Sequence, residues 1–181
     1  MTRIATLDPV TATGRAGELL AATQKQLGRA PNLYRSMAQS PIALEAYLAF
    51  RGVLTKGGLS TKMMESIALL TAVKNDCDYC VAAHSFRGAK IGMSEHELAL
   101  TRAGQASNDK DSAALRFVQV LIERHGVISD DDFMVLKQAD WSDAEIGEMI
   151  AQVALNMFSN YFNHVAQPEL DFPAVLQSIA A

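Results

Sequence analysis

The stretch Glu65-Ser-Ile-Ala-Leu-Leu-Thr-Ala-Val-Lys-Asn-Asp-Cys77-Asp-Tyr-Cys80-Val-Ala-Ala-His84 decides how the fold of this chain is interpreted. It holds both cysteines of the chain, three residues apart. A break near Asn75-Asp76, with one of these two as N-cap, predicts two helices joined by a turn, and it puts the cysteines in the first turn of the second helix. Residues four apart share a helix face, so Cys80 and His84 are expected one above the other, and Cys77 returns to that face after two turns.

Glu65 lies on the first helix of this predicted hairpin. Glu65 and His84 are each about ten residues from the turn, so antiparallel packing would bring them together. The apolar residues around Glu65 predict partial burial and a raised pKa, which suits general-base chemistry. The helix N-terminus favours a thiolate at the cysteines, whereas the charges of Asp76 and Asp78 disfavour it, so the thiol pKa stays open.

The composition is that of an ordinary globular domain. The 181 residues are 49% hydrophobic and 20% charged, enough for one domain with a sizeable core. The formal net charge is −4 and the basic residues are scattered, which argues against a nucleic-acid surface and a polybasic membrane patch. No apolar run has the length of a signal peptide or approaches the ~20 residues of a membrane span. We therefore expect a cytoplasmic protein with no nucleic-acid or membrane partner.

Helix-start and helix-stop residues recur along the chain, and no segment alternates as a strand would. Gly and Pro fall between the periodic segments, and two capping boxes, Ser94-x-x-Glu97 and Ser142-x-x-Glu145, mark helix starts. The predicted helices span residues 13–27, 31–39, 42–54, 60–74, 77–90, 94–104, 111–125, 129–137 and 143–164. This pattern predicts a single all-α domain, a helical bundle over residues 1–181 whose helical hairpin carries the C-x-x-C.

A C-x-x-C pair by itself is compatible with redox chemistry and with metal binding. A zinc site would use Cys77, Cys80, His84 and Glu65, but the chain lacks the second Cys pair that structural zinc sites usually recruit. Covalent haem attachment requires His directly after the second Cys, where Val81 stands, and a thioredoxin-like fold would require strands around the pair. The residues therefore favour a redox pair with no metal.

The spacing of these residues resembles that of a known family. Glu65, the C-x-x-C twelve residues later and a His four residues after the second Cys match the alkylhydroperoxidase core of the AhpD-like/carboxymuconolactone decarboxylase superfamily. Ser85 and the run Gly88-Ala89-Lys90-Ile91-Gly92 fit the same pattern. The motif region covers about residues 59–103, which would be the redox core, and residues 28–54 look like the lead-in of related members.

The resemblance implies an all-helical fold of the AhpD-like type, assembled as a homotrimer or a hexamer. It also implies a thiol peroxidase or disulfide reductase without a bound cofactor. By motif position, Cys80 would be the peroxidatic cysteine, Cys77 the resolving cysteine, and Glu65 and His84 a proton relay. The implied partners are a hydroperoxide substrate and an external dithiol or lipoyl-type reductant protein.

Several points stay open at this level. Helix geometry alone would allow the two cysteines to exchange roles. Some members of the family carry His at the position of Tyr79, which here is expected to shape the pocket. His164 is a second candidate for the pocket or for a subunit contact. His96 is expected at the surface, and His125 at a helix C-terminus, where its charged form would complement the dipole. The alternatives on the same fold are a decarboxylase or lactone-cleaving enzyme, whose members typically lack the cysteine pair, and a non-enzymatic oligomeric protein.

Overall fold

The computed structural model describes residues 1–175. Nine α-helices and no strand occur in this part of the chain, which confirms the all-α class. The helices are α1 Gly14–Leu27, α2 Asn32–Met37, α3 Pro41–Leu54, α4 Thr61–Lys74, α5 Asp78–Lys90, α6 Glu95–Arg102, α7 Asp109–Glu123, α8 Asp130–Gln138 and α9 Asp143–Ala166. Residues 176–181 of the predicted domain lie outside the described residues.

Polar side chains cap most of these helices. Both predicted capping boxes are present, at the starts of α6 and α9, where Ser94 pairs with Glu97 and Ser142 with Glu145. The start of α7 differs from the prediction, because Asn108 caps this helix and its first residue is 109 instead of 111. The first turn of α7 is polar, so apolar periodicity could not reveal it.

α4 is the central helix of the bundle. α5, α6, α7 and α9 all pack against it, and residues 66–72 are buried without interruption. Such burial on all sides distinguishes a core helix from an amphipathic surface helix. Each buried Leu or Ile side chain contributes roughly 1.5–3 kcal/mol, so α4 forms a firm support for Glu65.

Two clusters of buried apolar side chains meet at α4. Leu69 belongs to a cluster that joins α1, α2 and α3 to the start of α5. Leu70, the next residue and about 100° further round the helix, belongs to a cluster formed with α7, α8 and α9. Cys77 and Cys80 lie in the first cluster, so the N-terminal helices cover the cysteine pair.

The turn between α4 and α5 is a Schellman motif. The backbone N–H of Cys77 donates to the carbonyl of Ala72 at 2.9 Å, and that of Asp76 donates to Val73 at 3.1 Å. Asp76 takes the left-handed conformation, with φ of 51°, that this motif requires. The N-cap of α5 is therefore Cys77, and the prediction that Asn75 or Asp76 caps the helix is wrong, since both residues are used to end α4.

Candidate active site

Cys77 and Cys80 are joined in a disulfide at the start of α5. Cys77 is the N-cap and Cys80 is the third residue of the helix, so the expected place of the pair at a helix N-terminus is confirmed. The two residues are only 2% and 3% exposed. Of the two, Cys80 lines a cavity of about 120 Å³ and thus has the route to a small ligand.

The hairpin of α4 and α5 brings Glu65 and His84 into contact, as predicted. Nδ1 of His84 lies 2.7 Å from Oε2 of Glu65, and both side chains are largely buried. His84 lines the cavity together with Cys80, which lies one helical turn earlier in α5. Two of the four residues of the motif, Cys80 and His84, therefore line one small cavity, while Cys77 is bonded to Cys80 and Glu65 contacts His84.

The carboxyl group of Glu65 has a lower pKa than its burial alone would give it. Burial raises the pKa of a carboxyl group, but here the charge of Arg87 and the contact with His84 outweigh burial and bring the pKa of Glu65 to about 2. The expectation of a raised pKa is therefore wrong. At neutral pH Glu65 is a carboxylate that can only accept hydrogen bonds.

His84 is a neutral imidazole at physiological pH. Burial, followed by the charge of Arg87, lowers the pKa of His84 below its usual value, although Glu65 pulls in the opposite direction. Because the Glu65 carboxylate only accepts, the hydrogen of His84 resides on Nδ1 and donates to Glu65. This leaves Nε2 unprotonated and able to take a proton.

Arg87 is a site residue that the sequence analysis missed. It follows His84 by three residues on the same face of α5, lines the cavity, and places Nη1 3.9 Å from Oε1 of Glu65. The attraction of Glu65 keeps its pKa high despite burial, so it remains a cation. The spacing from Cys80 and His84 was a signal that could have identified it.

Asn163 of α9 is a second residue that the sequence analysis missed. Its Nδ2–H donates to Sγ of Cys80 at 3.1 Å, and its side chain is 6% exposed. The prediction singled out the next residue, His164, which is exposed and contacts the carbonyl of Asn75 through Nε2 at 2.6 Å. His164 is therefore not a pocket residue, because consecutive residues point about 100° apart on a helix.

Several aromatic side chains line the cavity, and Tyr79 is one of them, as expected. The aromatic lining residues are Tyr34, Tyr47, Tyr79, Phe86 and Phe172. For comparison, an engineered apolar cavity of ~150 Å³ binds benzene. The space next to Cys80 therefore suits one small apolar group, such as a short alkyl chain or a single ring.

The segment after α9 closes one side of this cavity. Asp171 forms an ion pair with Arg29 and accepts hydrogen bonds from the backbone N–H of Asn32 at 3.0 Å and from the hydroxyl of Tyr79 at 2.6 Å. Phe172 packs against Tyr79 edge to face, with ring centroids 5.6 Å apart. The C-terminal segment is thus fastened to α2 and α5 by both polar and aromatic contacts.

Within residues 1–175, no group of three or more His, Cys, Asp or Glu side chains is arranged to hold a metal ion. The residues considered for a zinc site have other partners. The two sulfurs form a disulfide, and Nδ1 of His84 is hydrogen-bonded to Glu65. None of the helices in the described part of the chain has the length and apolar character needed to cross a membrane.

Residues 41–123 match the model of the Carboxymuconolactone decarboxylase family. The fold is similar to the alkylhydroperoxidase AhpD core of an uncharacterized peroxidase-related protein from Ralstonia eutropha JMP134, with a TM-score of 0.84 and 20% identity over 94% of this chain and 92% of that chain. Residues 41–123 are thus similar to the Carboxymuconolactone decarboxylase family, and the fold of the chain is similar to that of the AhpD core.

Two further solved structures are similar over nearly the same length. The debrominase Bmp8, a variant of which was solved in complex with 2,3,4-tribromopyrrole, has a TM-score of 0.81 and 18% identity over 94% of this chain and 92% of that chain. An uncharacterized peroxidase-related protein from Silicibacter sp. TM1040 has a TM-score of 0.77 and 22% identity over 92% of both chains. A comparison with curated proteins finds no match. The expected AhpD-like fold is therefore confirmed, and the neighbours of this fold include different activities.

Proposed function

We propose that this AhpD-like protein is a thiol-dependent peroxidase and disulfide oxidoreductase that reduces hydroperoxides through Cys77 and Cys80. One observation carries the proposal: the cysteine disulfide lies at a helix N-terminus, and its Cys80 shares a small apolar cavity with a neutral, oriented His84. The family and the peroxidase-related neighbours support it at the level of fold.

In the reduced protein we assign the attack to Cys80, because it lines the cavity. Its thiol proton passes to Nε2 of His84, since Nδ1 is engaged by Glu65. The thiolate then attacks the hydroperoxide oxygen that carries the hydrogen, and the O–O bond breaks. The electron pair leaves on the other oxygen, which takes the proton from His84. The products are a Cys80 sulfenic acid and an alcohol, or water when the substrate is hydrogen peroxide.

Cys77 completes the cycle. Its thiol attacks the sulfenic acid of Cys80, which releases water and forms the disulfide. With their Cα atoms 5.2 Å apart, the two residues are already placed for this bond. An external dithiol, such as a lipoyl group of a partner protein, then reduces the disulfide by thiol–disulfide exchange. No bound cofactor takes part in this cycle, which we propose operates in the reducing cytoplasm.

Glu65 acts in this proposal as a fixed anion. A carboxyl group with a pKa of about 2 does not exchange protons near neutral pH, so it cannot form half of a proton relay. It instead holds Nδ1–H of His84 and keeps Nε2 free, much as buried carboxylates orient histidines in other enzymes.

A turnover assay on the reduced protein tests the proposal. Hydrogen peroxide, tert-butyl hydroperoxide and cumene hydroperoxide serve as substrates, with dithiothreitol or dihydrolipoamide as the donor. We expect turnover by the wild type, none by Cys80→Ser, and a single oxidation without turnover by Cys77→Ser. Full turnover by Cys80→Ser would show that the cysteine assignment is wrong. A wild type that consumes no hydroperoxide with either donor would favour a non-enzymatic or decarboxylase-like role.

A second candidate function follows from the aromatic wall of the cavity. Reductive removal of bromine from an aromatic ring by two thiols yields the hydrogen-substituted ring, HBr and a disulfide, which the same cysteine pair would supply. The ring-sized cavity and the fold-level similarity to the debrominase Bmp8 favour this candidate. Incubation of the reduced protein with a bromopyrrole tests it, because bromide release in step with thiol loss supports the activity and its absence excludes that substrate.

The exposed apolar residues of α3 and α9 bear on the expected homotrimer or hexamer. These two helices pack together, and each leaves large apolar side chains in the solvent, namely Ile42, Phe50 and Val53 of α3 and Ile150, Phe158, Tyr161 and Val165 of α9. We propose that further copies of the chain cover them. Light scattering should give three or six times the 19.6 kDa mass of the chain, and a monomer would contradict this.

A further inference from the structure

We propose that Asn163 is a further catalytic residue of this site. In this proposal its amide N–H stabilises the Cys80 thiolate, and its amide carbonyl accepts the O–H of the hydroperoxide. The second role rests on the peroxidase function proposed above, whereas the first requires only that Cys80 be reduced.

The contact between Asn163 and Cys80 carries the first role. The amide Nδ2–H lies 3.1 Å from Sγ of Cys80, inside a core where both residues are almost fully buried. A disulfide sulfur is a weak acceptor, whereas a thiolate carries a full charge. Hydrogen bonds to ionised groups are roughly twice as strong as neutral ones. Reduction of the pair therefore strengthens this contact, and a stronger contact to the charged form lowers the pKa of the thiol.

The other end of the same amide carries the second role. Oδ1 of Asn163 is buried and has no hydrogen-bond partner in residues 1–175. Leaving a buried acceptor unpaired costs roughly 1–3 kcal/mol, so such atoms are rare and call for an explanation. Because Asn163 lines the cavity, a ligand there can supply the missing donor.

A second unpaired atom complements the first. Nε of Arg87 is also buried without a partner in the described residues, and Arg87 lines the same cavity. A hydroperoxide group has one O–H donor and two oxygens that accept. It can therefore satisfy the acceptor of Asn163 and the donor of Arg87 at once, which an alkane or a simple ether cannot do.

The proposed contacts agree with the balance of the reaction. The hydrogen held by Oδ1 of Asn163 stays on the oxygen that is transferred, and it becomes the hydrogen of the sulfenic acid. Asn163 neither gains nor loses a proton, and the proton for the leaving oxygen still comes from His84. The amide thus acts by binding the attacking sulfur and the attacked oxygen on its two ends.

Other ionisable groups also influence the Cys80 thiol, so the test must leave them in place. The ionisable residues that share the cavity with Cys80 are Arg29, Tyr34, Tyr47, Tyr79, His84 and Arg87. Asp76 and Asp78 flank the cysteines, and Glu65 contacts His84 from α4. A substitution confined to Asn163 changes none of these groups.

The thiol pKa of Cys80 is the measurement, taken from thiolate absorbance at 240 nm in the Cys77→Ser background. We expect Asn163→Leu, which has a similar shape and no N–H, to raise this pKa by about one unit, a tenfold smaller thiolate fraction below the pKa. Asn163→Asp keeps an oxygen and adds a negative charge, so it should raise the pKa of Cys80 further. This variant also provides a measurement if the Leu variant fails to fold. His164→Leu, on the same helix and away from the site, should leave it unchanged.

The outcomes separate this inference from the peroxidase proposal, because the pKa is measured without any hydroperoxide. An unchanged or lower pKa in both Asn163 variants overturns the first role, whether or not the protein consumes hydroperoxides. The second role is tested by the rate at which cumene hydroperoxide oxidises Cys80. This rate is measured at a pH where the Cys80 thiol is fully ionised both with and without the Asn163 substitution. A rate at least tenfold lower in Asn163→Leu supports binding of the O–H, and an equal rate overturns it.

Discussion

Glu65 contacts both His84 and Arg87, and their combined effect decides its protonation state. Burial alone would favour the neutral acid, but a nearby guanidinium and a donating imidazole favour the carboxylate. The carboxylate in turn fixes the tautomer of His84. The charge of Arg87 keeps Glu65 ionised and thereby decides which ring nitrogen of His84 carries the hydrogen.

Replacing Glu65 by Gln should lower kcat/KM for hydroperoxide reduction about 100-fold, a typical effect of disturbing a positioned acid or base. The Gln side chain can donate as well as accept, so it no longer forces the hydrogen of His84 onto Nδ1. Glu123→Gln, an exposed carboxylate paired with Lys74, is the matched control and should retain activity. Steady-state kinetics on the two variants check this, and a Glu65→Gln enzyme within twofold of wild type would contradict the assigned role.

The residues of the site differ in how visible they are in the sequence. Cys77, Cys80 and His84 could be predicted because they lie at the start of one helix and along it. Glu65 could be predicted because the short turn between α4 and α5 brings it opposite His84. The effect of Arg87 on Glu65 depends on three side chains from two helices, so the sign of the pKa shift could not be read from composition. Asn163 could not be assigned, since it reaches Cys80 only through the packing of α9, 83 residues away.

At the scale of elements, α4 and α5 act as one rigid hairpin and the segment after α9 acts as its cover. The break between the two helices near Asn75-Asp76 is visible in the local sequence, and the structure forms it as a Schellman turn. The segment 167–175 has no regular structure, and its position depends on Asp171 and Phe172 contacting α2 and α5. Long-range contacts of this kind leave no periodic signal in the sequence.

The hydrogen bond between Tyr79 and Asp171 should fasten this cover. Tyr79→Phe and Asp171→Asn are each expected to lower the free energy of unfolding by about 1–3 kcal/mol, because each leaves a buried or charged partner unsatisfied. The double variant should cost less than the sum of the two, with a coupling of roughly 1 kcal/mol. Urea denaturation of the four proteins measures the cycle, and strictly additive losses would show that the contact does not hold the segment.

At the scale of the whole molecule, the Glu65–His84–Arg87 group makes stability depend on pH. The folded pKa of Glu65 is about 2, below its ordinary value of 4.5, so its contribution is fully present above that value and is lost as the pH falls towards 2. The folded pKa of His84 is also lowered, so its contribution is present above ~6.5 and is lost as the pH falls. Both groups therefore act in the same direction and make the fold sensitive to acid.

The free energy of unfolding should fall as the pH is lowered from 7 to 3, and Glu65 should account for a part on the order of 2–3 kcal/mol. The Glu65→Gln variant is expected to be less stable than wild type at pH 7 and to show a flatter profile between pH 5 and 3. Urea titrations at a series of pH values measure both profiles. Parallel curves for the two proteins would show that folding does not lower the pKa of Glu65.

The overall fold was the easiest property to predict. Each of the nine predicted helices corresponds to one of α1 to α9, because caps, glycines and apolar periodicity act locally and agree with the tertiary packing. The errors lie at the edges: Asn108 was not recognised as a cap, and Cys77 replaced Asn75 or Asp76 at the start of α5. These positions depend on competition between neighbouring caps, which periodicity does not resolve.

Trapping of the first oxidised intermediate tests the central claim most directly. Reduced Cys77→Ser protein is mixed with one equivalent of cumene hydroperoxide in the presence of dimedone, and the labelled peptide is identified by mass spectrometry. We predict a dimedone adduct on Cys80, formed at the rate at which hydroperoxide is consumed. An unlabelled Cys80 with hydroperoxide left intact, or a Cys80→Ser protein that forms the adduct on Cys77 instead, would contradict the account.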